Sequence, residues 1–343
     1  IIKKQLHEHN EILKNSHLSD LFSNAENRGK HFTSKFHNLL IDYSKNHITD
    51  ETLELLLNYA KELDIKKSIN AMFSGKEINV TEGCAVLHHA LRAKPEKVLE
   101  LKDNEIIKEI KDELKNLKKF VSLVHDKKLT GWTNKPFDTY VNIGIGGSDL
   151  GTKMVVNALN QYREEKTRSF FISNIDGEQI ELLKKTINPE TTLFIISSKS
   201  FKTIETTTNA DVIKSWLLKS GCDDISKHFV AVTSNFETAK DFGIGKENIF
   251  KTWNWVGGRF SLWSAVGLPV ALAIGFENFE KMLLGAYKID EYFLSEPLEK
   301  NIPIILALID YWYINFYGAP THAIIPYDES LHYFPSYLSQ LFM

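Results

Sequence analysis

From Asp138 onward the sequence alternates between two periods, and that alternation restricts the fold more than any other feature of the chain. TYVNIG, RSFFIS, TTLFIIS, HFVAVTS and NIFKTW are short β-rich runs, separated by helical patterns such as DLGTKMVVNALNQY and IETTTNADVIKSWLLKSG. Strands alternating with helices predict an α/β unit whose parallel sheet is covered on both faces. With five such strands the common doubly wound order is 2-1-3-4-5, and its switch point lies between the first strand and the third. The turn after the first strand reads GIGGSD and the turn after the third reads SSKSFKT. Both should open into one crevice at the carboxyl ends of the strands.

The first of these loops lies within Val141–Gly151, VNIGIGGSDLG. Gly144, Gly146 and Gly147 carry no Cβ, so the backbone can turn sharply there and approach a ligand. Ser148 and Asp149 suit a helix N-terminus, where unpaired N–H groups and the dipole favour an anion. An ordinary strand-to-helix turn would use the same residues. The dinucleotide fingerprint GxGxxG needs a glycine where Asp149 stands, so a single phosphate or a phosphorylated sugar is the more economical ligand.

In SSKSFKT, Ser198, Ser200 and Thr203 offer short donors beside Lys199, with main-chain amides between them. No GxxxxGK[ST] pattern occurs in the chain, which disfavours a nucleoside triphosphate. A serine-rich helix cap would look the same. A third loop, WNWVGGRFSLWSAVG, presents Arg259 behind Gly257 and Gly258, with Trp253, Trp255 and Phe260 to exclude water and Ser261 set to begin the next helix. Such an arginine is either a permanent cation held for a ligand or a structural partner of a carboxylate.

A chain of 343 residues suggests about two domains, and 43% apolar residues with 21 phenylalanines can fill sizeable cores. The charge of −3, from 41 basic and 44 acidic side chains, supplies no basic field for nucleic acid. Cys84 and Cys222 stand far apart, so neither a disulfide framework nor a zinc site is expected, and a reducing cytoplasm fits best. The opening IIKKQLHEHNEILKNSH is too charged for a signal peptide, and no run approaches the ~18 apolar residues of a membrane span.

Residues 1 to about 120 read as helices, on the spacing of Leu18, Leu21 and Phe22 and then of Leu53, Leu55, Leu56 and Tyr59. On a helix, the adjacent His88 and His89 would point about 100° apart, one packed and one solvated, and could not chelate one metal. The run Glu96–Lys119 reads as a solvated helix with i, i+4 ion pairs. After Gly275 the helical pattern returns, followed by a strand, THAIIPYD, and a helical stretch, ESLHYFPSYLSQLFM, which look like the start of a second α/β unit. Without an initiator Met, and with Met343 following SYLSQLF directly, the chain reads as a fragment cut at both ends.

Through NIGIGGSDLG, SSKSFKTIETTTNA, VGGRFSLWSAVGLP and GAPTHAIIPYD the chain closely resembles the glucose-6-phosphate isomerase family, and a weaker likeness extends from TEGCAVLHHALR back through the N-terminal helices. The resemblance implies an α/β fold with two doubly wound sugar-isomerase domains in tandem. Residues 1–119 would be a helical segment packing with the larger domain, 120–285 the first domain, and 286–343 the incomplete start of the second. In that family the substrate phosphate sits in the loop matching Ser198, Lys199, Ser200 and Thr203, while Gly147 and Ser148 line the sugar site. Arg259 matches the catalytic arginine beside the reacting carbons, and Gln340 matches a glutamine near them.

The activity so implied is interconversion of glucose 6-phosphate and fructose 6-phosphate through a cis-enediol, in glycolysis and gluconeogenesis, by a cytoplasmic homodimer with neither metal nor cofactor. Cys84 departs from the arginine that the family usually carries. The family's base is a glutamate in a motif like ESNGK, expected after Met343, as are a ring-opening histidine from the dimer partner and a lysine near the C-terminus. His322 and His332 do not lie in the matching motif. The rival readings are a non-catalytic sugar-phosphate sensor on the same fold, or an isomerase of another sugar phosphate; a sensor usually carries a DNA-binding module, and no basic helix-turn-helix is visible.

Overall fold

The helical spacing near the N-terminus produces α1 (Ile2–Leu13), α2 (Leu18–Ser23), α3 (Arg28–His31), α4 (Asp50–Glu62) and α5 (Ile65–Phe73) in the computed structural model, which describes residues 1–93 and 104–343. The chain divides into two compact units, each drawn from two stretches of sequence: Ile1–Phe73 with Lys288–Ala323, and Ser74–Tyr287 with Ile324–Met343. In the first unit α4 starts where the Thr49 hydroxyl accepts a hydrogen bond from the Thr52 N–H and the Thr52 hydroxyl in turn accepts one from the Thr49 N–H. Its apolar face places Leu56 in a core with Leu6, Ile309 and Trp312, whose indole N–H donates to the His47 carbonyl at 2.9 Å.

The all-helical expectation for this region needs correction in two places. TSKFHNLLID forms an antiparallel hairpin of β1 (Thr33–Phe36) and β2 (Leu39–Asp42). The two residues between them form the turn, and His37 takes a φ of 49°, a left-handed conformation that suits a tight hairpin and not a helix. In the second unit, residues 76–93 run through turns, with a single antiparallel bridge between Asn79 and Cys84. His88 and His89 therefore do not share a helix.

Of the lysine and glutamate run, residues 96–103 lie outside the described residues; the remainder belongs to α6 (Asn104–His125). That helix is not simply solvated, because Leu117, Phe120, Val121 and Val124 bury one face. Its carboxylates also reach another element: Glu109 pairs with Lys251, and Glu113 accepts the Lys251 N–H at 2.7 Å.

The second unit is built on the expected sheet. β3 (Thr139–Ile143), β4 (Arg168–Ile172), β5 (Thr192–Ser197), β6 (Phe229–Thr233) and β7 (Ile249–Lys251) are all parallel, in the order β4-β3-β5-β6-β7. Counted along the chain this is 2-1-3-4-5. The register aligns Ile143 with both Ile172 and Ile196, so β3 and β4 end level and β5 runs one residue further. The connecting helices are α7 (Leu150–Ala158), α8 (Gly177–Thr186), α9 (Ile204–Lys219), α10 (Phe236–Phe242) and α11 (Leu268–Ile274).

Strand alternation sends Tyr140, Ile195 and Val232 to one face, against α6, α7 and α11, and Val141, Ile196 and Ala231 to the other, against α8, α9 and α10. Both faces are thus covered, which explains why these strands read as nearly continuous apolar runs.

THAIIPYD is not a strand. A strand exists only as part of a hydrogen-bonded ladder, and among the described residues none pairs with this run. The last helix, Phe334–Phe342, forms as its spacing suggests and buries Tyr337. Among the described residues no helix is long and apolar enough to cross a membrane.

Candidate active site

Three loops of the second unit meet at the carboxyl end of the sheet, and glycine makes the closest of these approaches possible. After β3 the chain turns through Gly144 to Ser148, with Gly146 at a φ of +60°. A Cβ on Gly147 would collide with the Gly258 carbonyl and lie 2.6 Å from the Arg259 nitrogen, so the first loop and the arginine loop touch backbone to backbone. A Cβ on Gly144 would lie 3.0 Å from the Ser197 carbonyl oxygen, at the root of the second loop. Glycine is thus required at 147 by the neighbouring loop and favoured at 144 by the end of β5.

The second loop joins β5 to α9. Ser198 is buried, its N–H donating to the Val232 carbonyl, and its hydroxyl lies 3.1 Å from that of Thr203. Thr203 stands at the N-terminus of α9 without capping it through its side chain. Phe201 holds a φ of 53° and is buried, which turns the loop back so that Ser200 is exposed. The Lys199 carbonyl accepts from the hydroxyls of Thr233 and Ser234, fixing the loop to the end of β6. Among the described residues, no acceptor takes the main-chain N–H of Lys199 or Ser200. The Lys199 ammonium, on a half-buried side chain, donates to the carbonyls of Asn254 at 2.8 Å and Val256 at 3.2 Å.

The third loop follows β7. Trp253 and Trp255 stack with ring centroids 5.0 Å apart, and the Trp253 indole donates to Glu109 at 2.6 Å. Ser261 lies inside the short helical turn Gly258–Trp263, where its hydroxyl donates to the Gly258 carbonyl at 2.6 Å. Arg259 is exposed, its guanidinium 4.9 Å over the Phe260 ring, and among the described residues it has no carboxylate partner.

Gln340, on the last helix, closes over the first loop: its Nε2 would lie 3.7 Å from a Cβ on Gly146, and its buried Oε1 has no hydrogen-bond partner. His332 contacts its own turn, through the Glu329 carbonyl at 2.9 Å, and His322 belongs to the first unit.

Two residues with a part in this geometry were given other parts in the sequence reading. His88 is half-buried and accepts the Gly257 N–H at Nε2, 3.1 Å away, while its ring packs on Phe260 at 4.7 Å. Burial, and then the positive charges of Arg92, Arg259 and Lys199, push its pKa down to about 4, so it is a neutral acceptor. Its tandem neighbour His89 is also buried, so neither histidine is solvated.

Asp149 was read as a cap for α7, yet it makes no capping bond; it is 3% exposed and its Oδ1 lacks a partner. Burial pushes its carboxyl up to about 6, against the pull of Lys153 and Ser173. Among the described residues no group of His, Cys, Asp and Glu is arranged to hold a metal.

With this geometry in place, comparison with known proteins is specific. The family model described as phosphoglucose isomerase matches residues 42–343. The glucose-6-phosphate isomerase of Campylobacter jejuni subsp. doylei is 47% identical over 99% of this chain and 62% of its own length. That of Buchnera aphidicola subsp. Schizaphis graminum is 49% identical over 98% and 61%. The chain therefore spans about three-fifths of the length of the curated relatives it matches. Among solved structures, a glucose-6-phosphate isomerase from Chlamydia trachomatis superposes with a TM-score of 0.87 at 30% identity, covering 99% of this chain and 64% of that one.

Proposed function

Because the chain belongs to the phosphoglucose isomerase family, we propose that it is the phosphate- and sugar-binding portion of an enzyme that interconverts glucose 6-phosphate and fructose 6-phosphate. The observation that carries this reading is the convergence of the three loops around an arginine that is left uncommitted. Gly147 packs against Gly258 and Arg259, and Arg259 is exposed without a carboxylate partner among the described residues.

In this reading the substrate phosphate lies at the N-terminus of α9. Ser198, Ser200 and Thr203 supply hydroxyl donors, and the main chain at Lys199 and Ser200 supplies N–H groups. The Lys199 ammonium adds positive charge while holding the loop in place. Gly147 and Ser148 line the sugar, with Gln340 over Gly146. Arg259 stabilises negative charge on the enediolate oxygens as a proton leaves C2 and returns at C1. Phosphate binding, remote from the reacting carbons, supplies orientation.

No motif like the ESNGK that the resemblance calls for occurs in the 343 residues. These residues are therefore assigned binding and electrostatic roles, and turnover belongs to a polypeptide that also carries the glutamate motif. Residues 120–285 are read as the first sugar-isomerase domain, since all five parallel strands fall between Thr139 and Lys251. The homodimer and the cytoplasmic location remain part of the same reading.

Two measurements test it. The polypeptide with the glutamate motif should interconvert the two sugar phosphates, while residues 1–343 alone should not; turnover by the 343 residues alone would place the base among them. Replacing Ser198 and Thr203 together with Ala should raise KM and weaken inhibition by inorganic phosphate, because hydrogen bonds to a charged group are worth about 1.5–3 kcal/mol each. Unchanged phosphate inhibition in that variant would mean that the anion binds elsewhere.

A further inference from the structure

Around Asn142 and Ser197 the strand face is apolar: Tyr140, Ile195 and Val232 fill the same layer. An amide there is costly unless its hydrogen bonds are made. Asn142 is 1% exposed and makes two. Its Nδ2 donates to the Ser148 carbonyl at 2.9 Å, and its Oδ1 accepts from the Ser197 hydroxyl, also at 2.9 Å. Ser197 is equally buried, is the last residue of β5, and directly precedes the loop residue Ser198. A chain of two hydrogen bonds thus runs through the core, from the root of the loop that begins at Ser198 to the main chain of the loop that ends at Ser148.

We propose that Asn142 and Ser197 are a positioning pair that fixes the spacing between the anion loop and the sugar loop, so that a phosphate held by the first orients the carbons held by the second. The proposal rests on the isomerase reading for its kinetic consequence, though not for the link itself. Neither side chain reaches a ligand, since both are buried; each acts through the loop that follows it. The Ser197 carbonyl adds to the same junction, because it lies where a Cβ on Gly144 would come within 3.0 Å. A side chain at that position would crowd the Ser197 carbonyl and push the two loops apart. The hydrogen-bonded pair sets their registry at that distance, where apolar packing alone would permit sliding.

The test is a double-mutant cycle in the polypeptide that carries the glutamate motif, with Ser197→Ala, Asn142→Ala and the pair. Ser197→Ala should lower kcat about tenfold, the worth of roughly one hydrogen bond, with the inhibition constant for inorganic phosphate within about twofold of wild type. Ser197→Thr, which restores the hydroxyl, should recover most of the loss. The double variant should be no worse than Asn142→Ala alone. Unchanged kcat in Ser197→Ala, or losses that simply add, would overturn the proposal, as would a fall in kcat that only tracks a lower melting temperature.

Hydrogen exchange at Gly146–Ser148, with and without inorganic phosphate, reads the link without turnover. Phosphate should increase protection there in wild type and not in Ser197→Ala. If the wild type fails to isomerise but shows this response, the functional reading falls and the positioning pair stands. Equal responses in the two proteins would remove the pair whatever the activity.

Discussion

Lys199 and Arg259 come from neighbouring loops of the same unit, and both bear on His88, yet the fold uses their charges in different ways. The Lys199 ammonium is committed to the carbonyls of Asn254 and Val256, so it ties the anion loop to the start of the arginine loop. Arg259 rests on the face of Phe260 and has no carboxylate partner among the described residues. A cation with partners in the resting protein stabilises the resting protein. One without them is available to charge that appears only during reaction. In sequence the two look alike, each a basic residue in a polar loop. Partners far along the chain separate them.

The largest effect should come from the uncommitted cation. In the polypeptide that also carries the glutamate motif, Arg259→Ala is expected to lower kcat by about 10² to 10³, roughly 3 to 4 kcal/mol, with a smaller change in KM and a nearly unchanged melting temperature. Arg259→Lys should restore only part of the rate, since an ammonium lacks the planar fork of donors. A loss of thermal stability with intact turnover would make Arg259 a structural residue and erase the contrast with Lys199.

Lys199→Met sharpens the comparison from the other side. It removes two charge-assisted hydrogen bonds to carbonyls, which together should cost about 3 kcal/mol of stability in this half-buried setting. KM should rise with the loosening of both loops. Thermal denaturation beside phosphate inhibition distinguishes the roles. An unchanged melting temperature with strongly weakened phosphate binding would show that Lys199 is a direct phosphate ligand.

Much of the second unit was legible because its signals are local. Five β-rich runs, each followed by a turn and a helical pattern, fix strand number, sheet type and, through the preference for the doubly wound order, the adjacency of β3 and β5. Other features depend on partners distant in sequence. Nothing near Lys199 announces that its acceptors lie 55 and 57 residues later. Gly147 looked like a glycine for a ligand, and its closest neighbour is the backbone of Gly258. THAIIPYD has strand composition, and composition cannot supply the pairing strand that a ladder requires. One signal was available and unused: Asn142 is an amide between Val141 and Ile143 in a strand with the pattern of a buried one, a position that demands buried partners.

Asp149 gives the last comparison, because it is the anionic counterpart of Arg259: a charge-bearing group with an oxygen left unpartnered, but buried where Arg259 is exposed. Burial raises its pKa from 3.8 to about 6, so the folded protein holds this proton more tightly than the unfolded chain does. Between those two values the native state binds more protons, and stability falls as pH rises through the interval; above pH 6 the cost of the buried charge is fully present. Two pH units correspond to roughly 2 to 3 kcal/mol. Asp149→Asn removes the ionisation while keeping the shape of the side chain. The stability of the variant relative to wild type should therefore improve by about that amount between pH 4 and pH 8, as read from denaturation curves of both proteins at the two pH values. Parallel pH dependences would mean that Asp149 ionises as an ordinary carboxylate, through a partner or a solvent path that compensates its burial, and that the contrast between a solvated cation and a desolvated anion at this site is smaller than the geometry indicates.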